Sequence, residues 1–291
     1  MSRVSYSLIG CDFSSAPSRR KPVVLAVGHL RAGRVLVDRL EGFETLDAWA
    51  DRLADNGLGA WVGGFDLPFG LPRELVASLG WPATWLPCIR HFAGLSRAQI
   101  RAVFAAFCEA RPVGQKFAHR ATDRPAGSSP SMKWVNPPVA FMLHAGVPRL
   151  VDAGVSLPGL HAGDPNRVAL EAYPGLLARS VLGQASYKSD DKSRQTADRL
   201  IARRTLIEAL ETGRAPLLQG AGLRLKLRHA QRDQLADDAS GDSLDAVLCL
   251  LQAAWALHQH EGGHANWGLP PFDPLEGWIL TACIPSDTGG G

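Results

Sequence analysis

Short runs of hydrophobic residues in the first third of the chain predict three strands, a helix and a fourth strand. The predicted strands are Val4–Asp12, Pro22–His29, Arg34–Leu40 and Ala60–Phe65, and the predicted helix is Leu46–Ala54. Gly33 is typical of a tight hairpin between the second and third strands, and Thr45 of a helix N-cap. Because a helix connects it to the earlier strands, we expect the fourth strand to run parallel to the first through a right-handed crossover.

The rest of the chain predicts further helices and one more buried strand. Helices are predicted over Arg97–Glu109, Pro137–Ala145, Thr196–Glu211 and Ser243–His258, a strand over Val168–Ala172, and a closing strand or helix over Glu276–Ile284. The segment Arg111–Trp134 is rich in Gly, Ser and Pro and predicts a long loop. We therefore expect an α/β fold in one domain over residues 1–285, with a helical and loop insertion at about 90–160 and a disordered tail at 286–291.

Two aspartates that directly follow apolar strands give the strongest chemical signal. Asp12 ends the first predicted strand, and Asp66 follows the fourth. Ligands of open α/β sheets bind at the carboxyl ends of strands, where parallel first and fourth strands would bring these two acids together. Two adjacent carboxylates are unfavourable unless a cation or a proton lies between them, and oxygen ligands suit Mg²⁺ or Mn²⁺. The alternative is that each aspartate caps the turn that follows it.

Two further positions carry acids in apolar surroundings. Asp242 and Asp245 stand three residues apart at the start of the apolar helix, so they share a face. Asp242 fits an N-terminal acid that the helix dipole favours, whereas Asp245 enters the core and needs a partner there. Glu171 lies in an otherwise apolar strand, with an edge or solvent-facing position as the alternative to a functional one.

Composition limits the classes of function. The 291 residues are 46% hydrophobic with a net charge of +3, which suits a globular protein whose basic surface, if any, is local. The five cysteines form no close pair, so we expect neither a disulfide framework nor a structural zinc site. The chain begins without a signal-peptide pattern and holds no run long enough to span a membrane, so we expect a cytoplasmic protein with no membrane partner.

Five short motifs occur along the chain in an order that resembles one known family. They are Gly10–Phe13, Phe65–Pro72, Glu171–Pro174, Asp242–Ala246 and Glu276–Ile279. Together they are similar to the DUF429 family, whose members are predicted nucleases of ribonuclease-H-like fold. The resemblance spans most of the chain and implies a ribonuclease-H-like mixed β-sheet flanked by helices, with an acidic metal site.

The resemblance also implies roles for individual acids. In the wider superfamily, an aspartate on the first strand, an acid on the fourth strand and an aspartate on a late helix form the metal cluster. These roles fall on Asp12, Asp66 and Asp245, with Glu171 as the fourth acid. Glu276 is a further candidate, with a structural role as its alternative.

The expected function is that of a metal-dependent phosphodiester hydrolase, or nuclease. Two Mg²⁺ or Mn²⁺ ions about 4 Å apart would clamp the scissile phosphate, bridged by Asp12. Asp66, Asp245 and Glu171 would complete the metal ligands. Lys188 or Lys192 would neutralise the charge that develops on the phosphate.

Clusters of basic residues indicate where a nucleic acid or nucleotide could bind. The predicted substrate contacts are Arg194, which precedes the Thr196–Glu211 helix, and Arg120, Arg124 and Lys133 in the 111–134 loop. Cations hold phosphates while aromatic residues stack on bases. The alternative is an ordinary solvated face balanced by nearby acids. The choice between DNA and RNA and the oligomeric state stay open.

Two other functions compete with the nuclease hypothesis. An actin-like phosphotransferase or ATPase shares a related strand order and a first-strand aspartate, but such enzymes normally duplicate the domain and carry glycine-rich phosphate loops. A non-catalytic nucleotide- or nucleic-acid-binding protein would use the same scaffold without turnover, since function resides in the site and not in the fold.

Overall fold

A mixed seven-stranded β-sheet forms the centre of the computed structural model, which describes residues 5–283. Its strands are β1 (Ser7–Asp12), β2 (Val23–Arg31), β3 (Arg34–Phe43), β4 (Trp61–Asp66), β5 (Val155–Ser156), β6 (Asp164–Glu171) and β7 (Arg224–Lys226). Their order across the sheet is β5-β6-β4-β1-β2-β3-β7. Strand β2 runs antiparallel to both its neighbours, and all the other adjacent pairs are parallel.

Helices connect and flank the strands. They are α1 (Leu46–Ala54), α2 (Arg73–Ser78), α3 (Trp85–Ala93), α4 (Arg97–Glu109), α5 (Asp123–Ala126), α6 (Val139–Asp152), α7 (Pro174–Leu182), α8 (Ala197–Glu211), α9 (Pro216–Gln219), α10 (His229–Asp237) and α11 (Asp242–Glu261). Short 3₁₀ turns lie at Asn56–Leu58, Lys192–Arg194 and Ala265–Gly268. The predicted α/β class is therefore confirmed.

Alternation along the strands divides the core into two layers. Ile9 and Cys11 of β1 pack into one layer with residues of α1, α3, α4 and α6. Leu8 packs into the other layer with residues of α7, α8, α10 and α11. Because successive side chains of a strand point to opposite faces, the central strands are buried on both sides, which explains their continuous apolar sequence.

The first third of the chain follows the predicted order. The positive φ angles of Ala32 and Gly33 make the tight β2–β3 hairpin, and the Thr45 side chain caps α1 by accepting a hydrogen bond of 3.2 Å from the Ala48 N–H. Strand β4 is parallel to β1, as the crossover predicts. The later predicted elements that form are α4, α6, β6, α8 and α11, with α6 continuing seven residues beyond its predicted end. No prediction was made for α2, α3, α7, α9, α10 and β5.

Residues 111–134 are largely without regular secondary structure, as predicted, but they contain the short helix α5 and the buried residues Ala118, Thr122 and Met132. The prediction of a closing strand or helix was wrong. Within the described part of 276–284, no strand or helix forms, because Gly277 and Thr281 adopt positive φ angles of 75° and 64°. This segment is nevertheless buried and fixed, with the Leu280 N–H donating to the Glu171 carbonyl at 2.8 Å.

The described residues contain no helix that is long and apolar enough to cross a membrane. The expected disordered tail at 286–291, the start of the first predicted strand at Val4 and the end of the last predicted element at Ile284 lie outside the described residues.

Candidate metal centre

The paired register of β1 and β4 brings the first two acids together. Asp12 and Asp66 are direct partners across these two parallel strands, and both are the last residues of their strands. Each lies four residues after a side chain of the α11 layer, Leu8 in β1 and Val62 in β4. Both carboxylates therefore point towards the face of the sheet that α11 covers.

Two glycines allow the third acid to approach. A Cβ atom at Gly10 would lie 2.0 Å from the Ala246 carbonyl oxygen, and one at Gly64 would lie 2.4 Å from the Cys249 carbonyl oxygen. Only glycine permits the α11 backbone to lie directly on β1 and β4 at these points. Asp245 immediately precedes Ala246, so this close packing fixes its carboxylate beside the ends of the two strands.

The result is a compact group of three carboxylates. Asp12, Asp66 and Asp245 each offer an oxygen atom, and these atoms lie within 4.8 Å of one another. Asp245 is fully buried, and Asp12 is 8% exposed. Burial, followed by repulsion from Asp245, raises the pKa of Asp66 to about 7 and raises the pKa of Asp12 well above its usual range. The group thus carries unfavourable negative charge that calls for a counter-ion.

Two adjacent residues hold Asp245 from the opposite side. The Tyr187 hydroxyl donates to one carboxylate oxygen and the Lys188 ammonium group donates to the other. The buried Arg203 guanidinium fixes the backbone of this segment by donating to the Tyr187 carbonyl at 2.8 Å. Although burial disfavours its charge, the neighbouring Asp245 raises the pKa of Lys188, so this residue supplies a positive charge at the group.

The donor set fits a hard divalent cation. Of the three carboxylates, Asp245 is paired with the Lys188 ammonium group, so the group as a whole keeps a negative excess. All the ligand atoms are oxygens, and neither cysteine sulfur nor histidine nitrogen belongs to the group in the described residues. This chemistry suits Mg²⁺ or Mn²⁺ rather than zinc.

Glu171 belongs to a different cluster. In the sheet register it pairs with Phe65, one residue before Asp66, so its side chain points to the opposite face. There the buried Arg120 guanidinium donates to both of its carboxylate oxygens at 2.7 and 2.8 Å, and the Phe69 N–H donates at 2.9 Å. Burial still raises the pKa of Glu171 above its usual value. Glu171 is therefore outside the group of three carboxylates, although it lines the same cavity as Asp12 and Asp66, and its predicted role as a metal ligand stays a prediction.

Arg120 joins three parts of the chain rather than standing free. Its guanidinium also donates to Asp123 at 2.9 and 3.0 Å and to the Glu276 carbonyl at 3.0 Å. Although burial opposes its charge, Asp123 and Glu171 raise the pKa of Arg120. The Glu276 carboxylate accepts from the Ala121 N–H at 2.8 Å, so it fastens the same junction. Arg120 was predicted as a substrate contact, but in the structure its guanidinium group is hydrogen-bonded to other residues of the protein.

A cavity of about 530 Å³ lies over the three clustered carboxylates. Asp12, Asp66 and Lys188 line it together with residues of the 118–142 region. At its rim Lys21 contacts Asp190 at 2.7 Å and Asp242 at 3.7 Å. The cavity gives a ligand direct access to the acids.

The other predicted basic contacts lie away from this cavity. Lys192, Arg194 and Arg124 are exposed, and Lys133 is half-buried, but none of the four lines the cavity wall. Arg194 approaches Asp191 at 3.6 Å. Their predicted roles in binding or catalysis stay predictions.

Sequence reasoning missed several residues that shape the site. No motif singles out Tyr187 or the rim residues Lys21 and Asp190, because each meets its partner only in the fold. Tyr187 is 58 positions from Asp245, and Lys21 is 169 positions from Asp190 and 221 from Asp242. Tyr187 did have one signal, its position directly before the predicted Lys188 in a polar segment.

Comparison of the chain with protein-family models, curated proteins and solved structures finds no match in any of the three. The resemblance to the DUF429 family therefore stays a prediction that rests on the motifs in the sequence.

Proposed function

We propose that this protein is a metal-dependent phosphodiester hydrolase of ribonuclease-H-like fold that uses Mg²⁺ or Mn²⁺. The observation that carries the proposal is the convergence of Asp12, Asp66 and Asp245 within 4.8 Å, from β1, β4 and α11. The strand order β3-β2-β1-β4-β6 supports the fold assignment, with β2 antiparallel and acids on the first strand, the fourth strand and a late helix. Membership of the DUF429 family is part of the same proposal.

The residues of the chain divide the work of such a reaction. Asp12, Asp66 and Asp245 would hold the cation, which when bound supplies Lewis-acid stabilisation of the phosphate and of the attacking water. Tyr187 and Lys188 orient Asp245 through their two hydrogen bonds. Lys188, whose side chain is 39% exposed and lines the cavity, also places a positive charge where a phosphate oxygen gains negative charge.

Cleavage assays with an isosteric variant test this function. We expect Mn²⁺- or Mg²⁺-dependent cleavage of DNA or RNA oligonucleotides, abolished by EDTA. Asp12→Asn should lower the rate by at least about 10²- to 10³-fold while the fold is retained, because it removes a charge at the reacting centre. Mn²⁺ binding, measured by calorimetry, should weaken in parallel.

Asp47→Asn is the matched control, since Asp47 lies on α1 with a side chain 87% exposed. It should cleave and bind Mn²⁺ like the wild type. Equal cleavage by Asp12→Asn and the wild type would contradict the assignment of the site. Absence of cleavage on every substrate, with Mn²⁺ binding still lost in Asp12→Asn, would leave a metal site with another phosphate chemistry or binding alone.

A further inference from the structure

The shape of the cavity bears on the form of the substrate. A volume of about 530 Å³ falls within the roughly 300–1,000 Å³ of sites that enclose one small molecule. A cavity of this size holds one nucleotide, and a base within a continuous duplex would have to unpair and unstack to occupy it.

Part of the cavity wall is apolar. Phe13 and Leu67 come from the ends of β1 and β4, and Val139 and Met142 come from α6. Val139 and Met142 stand three residues apart and therefore present one face of the helix to the cavity. Such a wall suits the flat face of a nucleobase rather than a string of phosphates.

Polar groups without partners lie beside this wall. Asn136 and Ser129 line the cavity, and no other described residue between 5 and 283 forms a hydrogen bond with either side chain. The Asn136 amide offers both a donor and an acceptor, which is the combination that reads the edge of an unpaired base. Three cationic side chains line the cavity, Lys21, Arg120 and Lys188. Arg120 donates to Glu171, and Lys21 donates to Asp190.

The wall is also held in place. Residues 118–142 supply the Asn136 and Met142 side of the cavity, and Arg120 ties this segment to β6 and to Glu276 through buried hydrogen bonds. Because the wall is already ordered, little conformational entropy is lost there when a ligand binds.

We propose that the site receives a single unstacked nucleotide, so that the substrate is a single strand or a strand end rather than the interior of a duplex. The base lies against Val139 and Met142, Asn136 contacts its edge, and the adjoining phosphodiester lies over the three carboxylates. Because single strands and frayed ends expose bases without the energy needed to unpair a duplex, they are the preferred form. This inference rests on the proposed function for the identity of the scissile group.

Binding of a mononucleotide tests the inference apart from turnover. Calorimetry with adenosine or thymidine 5′-monophosphate and Mn²⁺ should show binding to the wild-type protein. Met142→Trp fills the cavity and should weaken this binding at least 10-fold while Mn²⁺ affinity without nucleotide stays unchanged. Asn136→Ala, at an exposed position that does not threaten the fold, should weaken it several-fold.

Val113→Trp is the matched control, because Val113 lies in the same inserted region, is 92% exposed and does not line the cavity. It should bind like the wild type. In cleavage assays, a single strand should be cut at least 10-fold faster than the same sequence within a closed duplex.

The outcomes separate the two proposals. Nucleotide binding that Met142→Trp abolishes, without any cleavage, supports the pocket and overturns the nuclease. Equal cleavage of single strand and closed duplex, or wild-type binding of the mononucleotide by Met142→Trp, overturns the pocket and leaves the nuclease in place.

Discussion

Two buried groups of acids lie on opposite faces of the sheet, and they differ in how their charge is balanced. Asp12, Asp66 and Asp245 lie together, and the Lys188 ammonium group contacts one of them, Asp245. Asp123 and Glu171 are instead joined by the buried Arg120, which donates to both. The first group keeps an excess of negative charge and the second is satisfied by the protein itself. Charge balance, and not the presence of acids, therefore marks the candidate metal site.

Removing Arg120 should have the largest effect on stability. Arg120→Met leaves the buried Glu171 and Asp123 carboxylates without their cation, which should lower the free energy of unfolding by about 3–5 kcal/mol. Urea denaturation monitored by circular dichroism measures the change. A loss of this size would establish that this second group is structural.

Arg124→Met is the matched control for that experiment. Arg124 lies on the same short helix as Asp123 but is exposed, so its loss should change stability by less than about 0.5 kcal/mol. If the two variants were equally stable, Arg120 would not be compensating the buried acids, and the contrast between the groups would fail.

The sequence was sufficient to predict the group of three carboxylates. Asp12 and Asp66 end strands whose apolar runs are clear, and the parallel pairing follows from the crossover between them. Asp245 stood out because it interrupts an apolar helix one turn from its start. In each case a local conflict between a charge and its apolar surroundings indicated a need for a partner.

The sequence could not assign Glu171 to its face. Strand β6 is buried on both sides at Val168–Glu171, so alternation between apolar and polar residues gives no sign of which side chains face α11. Only the register, which pairs Glu171 with Phe65 rather than with Asp66, separates it from the other acids. The burial of Arg120 could not be predicted either, because a segment without periodicity does not show which of its side chains are buried.

The charge excess of the three carboxylates predicts a pH-dependent stability. The pKa of Asp66 is about 7 in the folded protein and about 3.9 in an unfolded chain, so the folded state binds its proton more tightly. Stability should therefore fall as the pH rises from about 4 to about 7 in EDTA. Asp66→Asn removes this penalty and should raise the free energy of unfolding at pH 8 by about 1–2 kcal/mol, a value reduced because Asp66 is partly exposed.

The same variant should lose its advantage in two conditions. At about pH 2.5, well below both pKa values of Asp66, this residue is protonated in either state, and Asp66→Asn and the wild type should unfold alike. Saturating Mn²⁺ at pH 8 should stabilise the wild type and not the variant, by mass action on the folded state. An Asp66→Asn protein less stable than the wild type at pH 8 in EDTA would show that the three carboxylates are already balanced.

The smallest effect is expected at two cations that the sequence had placed near the site. Lys192 and Arg194 are exposed, and neither lines the cavity, so the double variant Lys192→Ala/Arg194→Ala should change stability by less than about 0.5 kcal/mol. Mn²⁺ affinity should be unchanged, and cleavage at physiological salt should change by less than about 3-fold, because exposed charges are screened beyond roughly 8 Å. Lys188→Met is the opposite case, since it removes the ammonium group that contacts Asp245, and it should change Mn²⁺ affinity at the same pH. If the double variant lost as much cleavage activity as Lys188→Met, the 192–194 turn would contact the substrate. Lys192 and Arg194 could then not be described as solvated cations without a role at the site.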